Sequence, residues 1–271
     1  MTGWLSRGWP ALVATALLVT HPGARADDLH AAAKQRFDTL AAEAKARDDM
    51  PRVTDPAVSA VLDTLGDTAR IEALARAPDP LAPLLETCGA STTVLMAYAL
   101  FDAQRRVGAG LGADAGPEET ARRMRELLDA NAIRFQDEMA RLQPLLIRCA
   151  GLQSPLLSSF LAGLPAEQRT PVRLQGARQF QNGAASLVFG VLTAVSDPRL
   201  KLAYRSQYVA ALAGSIGPIA QVLPVASRAR LLVVKRTATA EAPAGLRASL
   251  DEIDAALSDE RCEGFCALAA P

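Results

Sequence analysis

Apolar residues in this chain recur at spacings of three and four almost from end to end. That is the pattern of helices packed by one face. The one run with β character, Leu231-Leu232-Val233-Val234, is flanked by helix formers. Asp or Thr followed by Pro, a cap and then a first-turn proline, marks helix starts at Asp55-Pro56, Thr170-Pro171 and Asp197-Pro198. Composition agrees. Of 271 residues 54 are Ala, and Arg outnumbers Lys 25 to 4, so the common residues are helix formers. The chain is 50% hydrophobic and carries 29 basic against 29 acidic side chains, too apolar and too evenly charged for a disordered chain.

These features predict an all-α fold, an irregular multi-helix bundle of about nine to eleven helices. Residues 27–271 are read as a single helical domain. Within it, 108–116 is an internal loop with four glycines, and 238–245 is a linker to the C-terminal helix. Pro117 starts a long helix with Met124, Leu127, Leu128, Asn131, Phe135, Met139 and Leu142 on one stripe, which Pro144 should kink or split. Asn131 on that stripe is a candidate buried polar residue fixing register. A short helix over Leu81–Cys88 is expected to stop at Gly89, and another starts near Ser91.

The N-terminus reads as a secretory signal peptide. Arg7 precedes an apolar stretch from Ala11 to Thr20, and Ala24-Arg25-Ala26 presents small residues for cleavage after Ala26. Ten apolar residues are too few to span a bilayer stably. The segment points to a bacterial precursor and a periplasmic or secreted product. Cleavage removes Arg7 and Arg25, leaving 27 basic residues against 29 acidic ones. It also removes Trp4, Trp9 and His21, so His30 is the one histidine of the expected product.

Four cysteines remain in that product: Cys88, Cys149, Cys262 and Cys266. An even count in an oxidising compartment implies two disulfides, and three pairings are open. Cys88–Cys149 with Cys262–Cys266 is favoured, because Gly264 permits the tight turn a C-x3-C bridge needs. The first pair closes a loop worth roughly 3–4 kcal/mol on a chain-entropy argument. The functional alternative for the second is a redox-active or metal-binding pair.

Several chemistries are disfavoured. One histidine near a chain end cannot build a multi-histidine metal site or a rigid Ser-His-Asp arrangement, so no metal or cofactor site is expected. H-E-x-x-H, Ser-x-x-Lys, G-x-S-x-G, Walker A and G-x-G-x-x-G are all missing from the sequence. Balanced charge and scarce aromatics argue against nucleic acid as a partner. The acid pairs Glu118-Glu119, Asp137-Glu138, Asp251-Glu252 and Asp259-Glu260 point about 100° apart on a helix, so none is itself a dyad. Glu138 alone flanks an apolar stripe.

The least ordinary segment is 171–226, expected to form a central glycine-rich apolar hairpin of two helices, roughly 171–195 and 198–223. Its first helix carries Gly176, Gly183 and Gly190 at heptad spacing, read as a rail for close helix packing. Beside them Gln175, Gln179, Asn182 and Ser186 form an uncharged polar stripe, a candidate packing or pocket surface. Residues 209–226 contain no charge, at the lower edge of a membrane span. The leading expectation is an exported helical binding or scaffolding protein, its partner a protein or a small apolar ligand, without a visible catalytic constellation. The alternatives are a membrane-associated protein inserting 171–226, and an enzyme relying on carboxylates.

Overall fold

The computed structural model describes residues 28–108 and 116–268. The signal segment 1–26 with its cleavage point after Ala26, and most of the 108–116 loop, lie outside the described residues. Within them the fold is all helix, with no strand. Leu231–Val234 belongs to a helix, because the residues around it impose that period.

Twelve α-helices are described: α1 (Asp28–Lys45), α2 (Pro56–Leu65), α3 (Thr68–Ala75), α4 (Leu81–Ala99), α5 (Pro117–Arg134), α6 (Gln136–Gly163), α7 (Pro171–Ser196), α8 (Leu202–Ala213), α9 (Ile216–Val222), α10 (Val225–Glu241), α11 (Arg247–Leu257) and α12 (Phe265–Leu268). Side-chain caps begin three of them. Asp55 accepts from the Ala57 amide, Asp67 from those of Ala69 and Arg70, and Thr170 from that of Arg173. Asp197 accepts from the Arg199 amide within a turn instead, and the next helix waits until Leu202.

Helix boundaries differ from the expected ones where packing overrides local signals. α4 runs straight through Gly89, and α6 runs through both Pro144 and Pro155. The break expected at Pro144 falls at Phe135, which leaves helical geometry (φ −113°, ψ 25°). The Phe135 ring is fully buried against Tyr98 and Phe101, at 5.4 and 5.6 Å between centroids. Leu142, Leu145 and Ile147 are fully buried around Pro144, so burial outweighs the one amide the proline lacks. The second arm of the expected hairpin is not one helix: it breaks at Gly214–Ser215 into α8 and α9. α10 continues to Glu241, with Ala238 and Ala242 buried, so the expected linker 238–245 is mostly helix and packed turn.

Among the described residues the core falls into three clusters of buried side chains. One joins α1, α2, α3 and α4 to the first half of α6, through Phe37, Leu62, Leu84, Tyr98 and Leu145. A second joins α7 to α11 through Val188, Leu192, Leu212, Ile219 and Ile253, with Ile147 and Ala150 of α6. A small third gathers Leu157, Leu161, Ala177, Phe180, Val222 and Phe265. α6 contributes to all three. Cys88 on α4 and Cys149 on α6 lie at disulfide distance, Cα atoms 6.1 Å apart, as do Cys262 and Cys266 at 5.4 Å. Two such pairs are compatible with an oxidising compartment.

α8 and α9 span only about 18 and 10 Å at the helical rise, well short of the about 30 Å of a bilayer's hydrocarbon core. Among the described residues the helix long and apolar enough to cross a membrane is α6, and 56% of its apolar window is buried in protein.

Candidate functional site

A cleft of about 260 Å³ lies between α1 and α4. His30, Lys34 and Asp38 recur every four residues on α1, so they form one row facing α4. Ala31 and Gln35 flank that row, and Glu86, Thr87 and Ala90 supply the opposite wall. Lys34 Nζ pairs with Asp38 at 2.7 Å. The remaining carboxylate, Glu86, is exposed and has no ion pair among the described residues, so the cleft presents unbalanced negative charge.

His30 is 1% exposed. Burial pulls its pKa below the usual histidine range, against the opposing pull of the Asp67 carboxylate and a backbone hydrogen bond at Leu65. At neutral pH it is therefore an uncharged wall of the cleft. Thr87 is 2% exposed, and its hydroxyl has no hydrogen-bond partner among the described residues. This sets it apart from its neighbours on α4. Ser91 donates to the Leu65 carbonyl at 2.7 Å, Thr92 to that of Cys88 at 2.8 Å, and Thr93 to that of Gly89 at 2.9 Å. A buried hydroxyl without a partner is costly to leave so.

None of the polar stripe singled out in the sequence reaches this cleft. Gln175 and Asn182 are exposed, while Gln179 and Ser186 are half-buried. The buried amide of α7 is the adjacent Gln181, 3% exposed, whose Nε2 donates to the carbonyls of Val222 (2.8 Å) and Phe265 (3.2 Å). It ties α7 to α9 and α12.

The glycine rail is likewise not a uniform packing seam. Gly183 is buried and Gly176 borders a small apolar groove, but a Cβ on Gly190 would meet nothing within 4 Å. The close approaches lie elsewhere. A Cβ on Gly66 would overlap the Arg141 carbonyl, and one on Gly151 would lie 2.9 Å from Ser215 Cβ.

The acidic pairs do not converge on one another. Glu119 pairs with Arg122 and Arg123, Asp137 with Lys201 and the Tyr204 hydroxyl, and Asp259 with Arg261. Glu138 is buried, 3% exposed, where it accepts from the Val53 amide at 3.0 Å beside Arg52 at 3.8 Å. Arg52 also stacks on the Phe135 ring, 4.5 Å from its centroid. Glu138 thus anchors the segment after α1, which Tyr98 secures further by donating to the Pro51 carbonyl. Asn131, 1% exposed, donates to the carbonyls of Ala99 (3.0 Å) and Phe101 (2.9 Å), closing the C-terminal end of α4.

No group of three or more His, Cys, Asp or Glu is placed to hold a metal ion among the described residues. The four-residue spacing of His30, Lys34 and Asp38 is legible in the sequence. That Glu86 and Thr87 face it is not, because the pairing of α1 with α4 is set by core residues. The chain matches no family model, no curated protein and no solved structure.

Proposed function

We propose that the chain is an exported, non-catalytic helical binding protein, and that its ligand seats in the cleft between α1 and α4. The observation that carries this reading is the exposed Glu86 carboxylate, without an ion pair among the described residues, in a cleft of about 260 Å³ between two helices. A ligand bearing a protonated amine or guanidinium satisfies Glu86. The methyl groups of Ala31 and Ala90 favour a short apolar stem. A scaffolding partner offering a lysine or arginine side chain meets the same chemistry.

The test is calorimetric titration of the protein lacking residues 1–26 with small primary amines and guanidines at low salt, against carboxylates of matched size. Saturable binding of the cations is expected, and lost in Glu86→Gln. Binding of neither cation class at millimolar concentration, or equal binding of carboxylates, overturns the reading. Turnover abolished by replacing one carboxylate would replace it with the enzymatic alternative.

A further inference from the structure

The C-terminal segment is built differently from the rest of the bundle. After α11 ends at Leu257, the chain is held by side chains rather than by a long helix. Arg228, 2% exposed on α10, donates to the carbonyls of Asp259 and Arg261. The chain then turns through Cys262-Glu263-Gly264, with Gly264 in the left-handed region (φ 60°), a conformation that glycine adopts without penalty. The described part of α12 is four residues long, too few to persist by their own hydrogen bonds.

What α12 delivers is Phe265. Its ring is 2% exposed and sits edge-on to Phe180, centroids 6.1 Å apart, above Leu157, Leu161 and Val222. Its carbonyl accepts from Gln181. An open apolar groove of about 20 Å³ continues past Phe265, along Phe160 and Gly176. Phe265 therefore fills one end of an apolar groove between α6 and α7. Next to it in sequence, Cys266 pairs with Cys262 four positions earlier, which closes the turn that presents Phe265.

The two cysteine pairs differ in access. Cys88 and Cys149 are 4% and 3% exposed, so neither sulfur is within easy reach of solvent. Cys266 is fully buried, but Cys262 is only half-buried. Exchange requires an attacking thiolate to reach a disulfide sulfur, so access decides which bridge reacts.

We propose that Cys262–Cys266 is a reducible latch, and that its reduction by a dithiol withdraws Phe265 and uncovers the apolar side chains it packs against between α6 and α7. The reductant's thiolate attacks Cys262 Sγ, the protein S–S bond breaks, and Cys266 leaves as a thiolate that takes up a proton. The reductant's second thiol then displaces Cys262 from the mixed disulfide. Two electrons pass from the dithiol, which ends as a cyclic disulfide, and the protein ends with two thiols. The Cys266 sulfur lies 3.2 Å from the Leu223 carbonyl, an acceptor for the new S–H until α12 departs. This site shares no residue with the α1–α4 cleft and stands independently of its reading.

The test treats the protein lacking residues 1–26 with increasing dithiothreitol under native conditions. Thiols are trapped by alkylation and located by mass spectrometry, while an anilinonaphthalene dye reports apolar surface. Cys262 and Cys266 should be alkylated at least tenfold faster than Cys88 and Cys149. Dye emission should rise several-fold with unchanged helical circular dichroism. Cys262→Ser with Cys266→Ser should bind the dye without reductant, and so should Phe265→Ala with its disulfide intact. Reduction of all four cysteines together with loss of helix overturns the proposal. So does selective reduction that leaves dye emission flat, or a serine pair that binds no dye.

Discussion

Single residues in this protein are selected by what crosses them, and glycine shows it most directly. Gly176, Gly183 and Gly190 share one line on α7, yet nothing lies within 4 Å of a Cβ built on Gly190. Gly66 and Gly151 belong to no repeat, and both face another element at close range. Three glycines at heptad spacing are visible in a sequence; a backbone from another helix arriving opposite one glycine is not. The same holds for Gln181, which differs from the exposed Gln175 and Asn182 only in facing α9 and α12. Substitution separates the two kinds of glycine. Gly151→Ala should cost about 1–3 kcal/mol through overpacking against Ser215, and Gly66→Ala at least as much, because the obstacle there is a main-chain carbonyl. Gly190→Ala should instead gain up to about 1 kcal/mol from helix propensity. Urea denaturation of the three variants checks this, and the ordering fails if Gly190→Ala is the most damaging.

Helices were legible where a local signal and the tertiary packing agree. Asp55 and Thr170 cap α2 and α7 as their residue types and following prolines require. Pro144, Pro155 and Gly89 carry stop signals, but each lies within a continuous helix, because the cost of a weakened turn is smaller than that of exposing the buried leucines around it. The end of α4 is secured from outside: Asn131 on α5 takes the carbonyls of Ala99 and Phe101, while Asp102 (φ 67°) turns the chain away with its carboxylate on Arg105. The periodicity marks Asn131 as out of place on an apolar stripe; only the approach of α4 explains it. Asn131→Ala should leave two buried carbonyls short of a donor and cost about 1–3 kcal/mol. Asn131→Asp should cost more, since a carboxylate placed against two carbonyls repels them. Hydrogen exchange at the last turn of α4 should quicken in both variants before exchange elsewhere does. Uniform quickening across all helices would mean that Asn131 serves the whole core rather than this helix end.

At the scale of the whole molecule, α6 is the common member: the first core cluster closes on its N-terminal half, the second on its middle and the third on its C-terminal end. The Cys88–Cys149 pair, 61 residues apart in sequence, ties α4 to this helix. A cross-link of that span restricts the unfolded chain and is worth about 4 kcal/mol on a loop-entropy estimate. Both sulfurs are buried, so replacement by alanine removes the link without leaving a polar group uncompensated. Cys88→Ala with Cys149→Ala should therefore lower the unfolding free energy by about that amount. Because α6 serves every cluster, the transition should stay single, and helical circular dichroism and apolar-dye binding should report the same midpoint. A double-alanine variant that melts in two steps would show that α1–α4 and α7–α11 are separate cooperative units held together chiefly by this bridge. Loss of stability with one coincident transition would instead place the cooperativity in α6, with the disulfide acting on the unfolded chain alone.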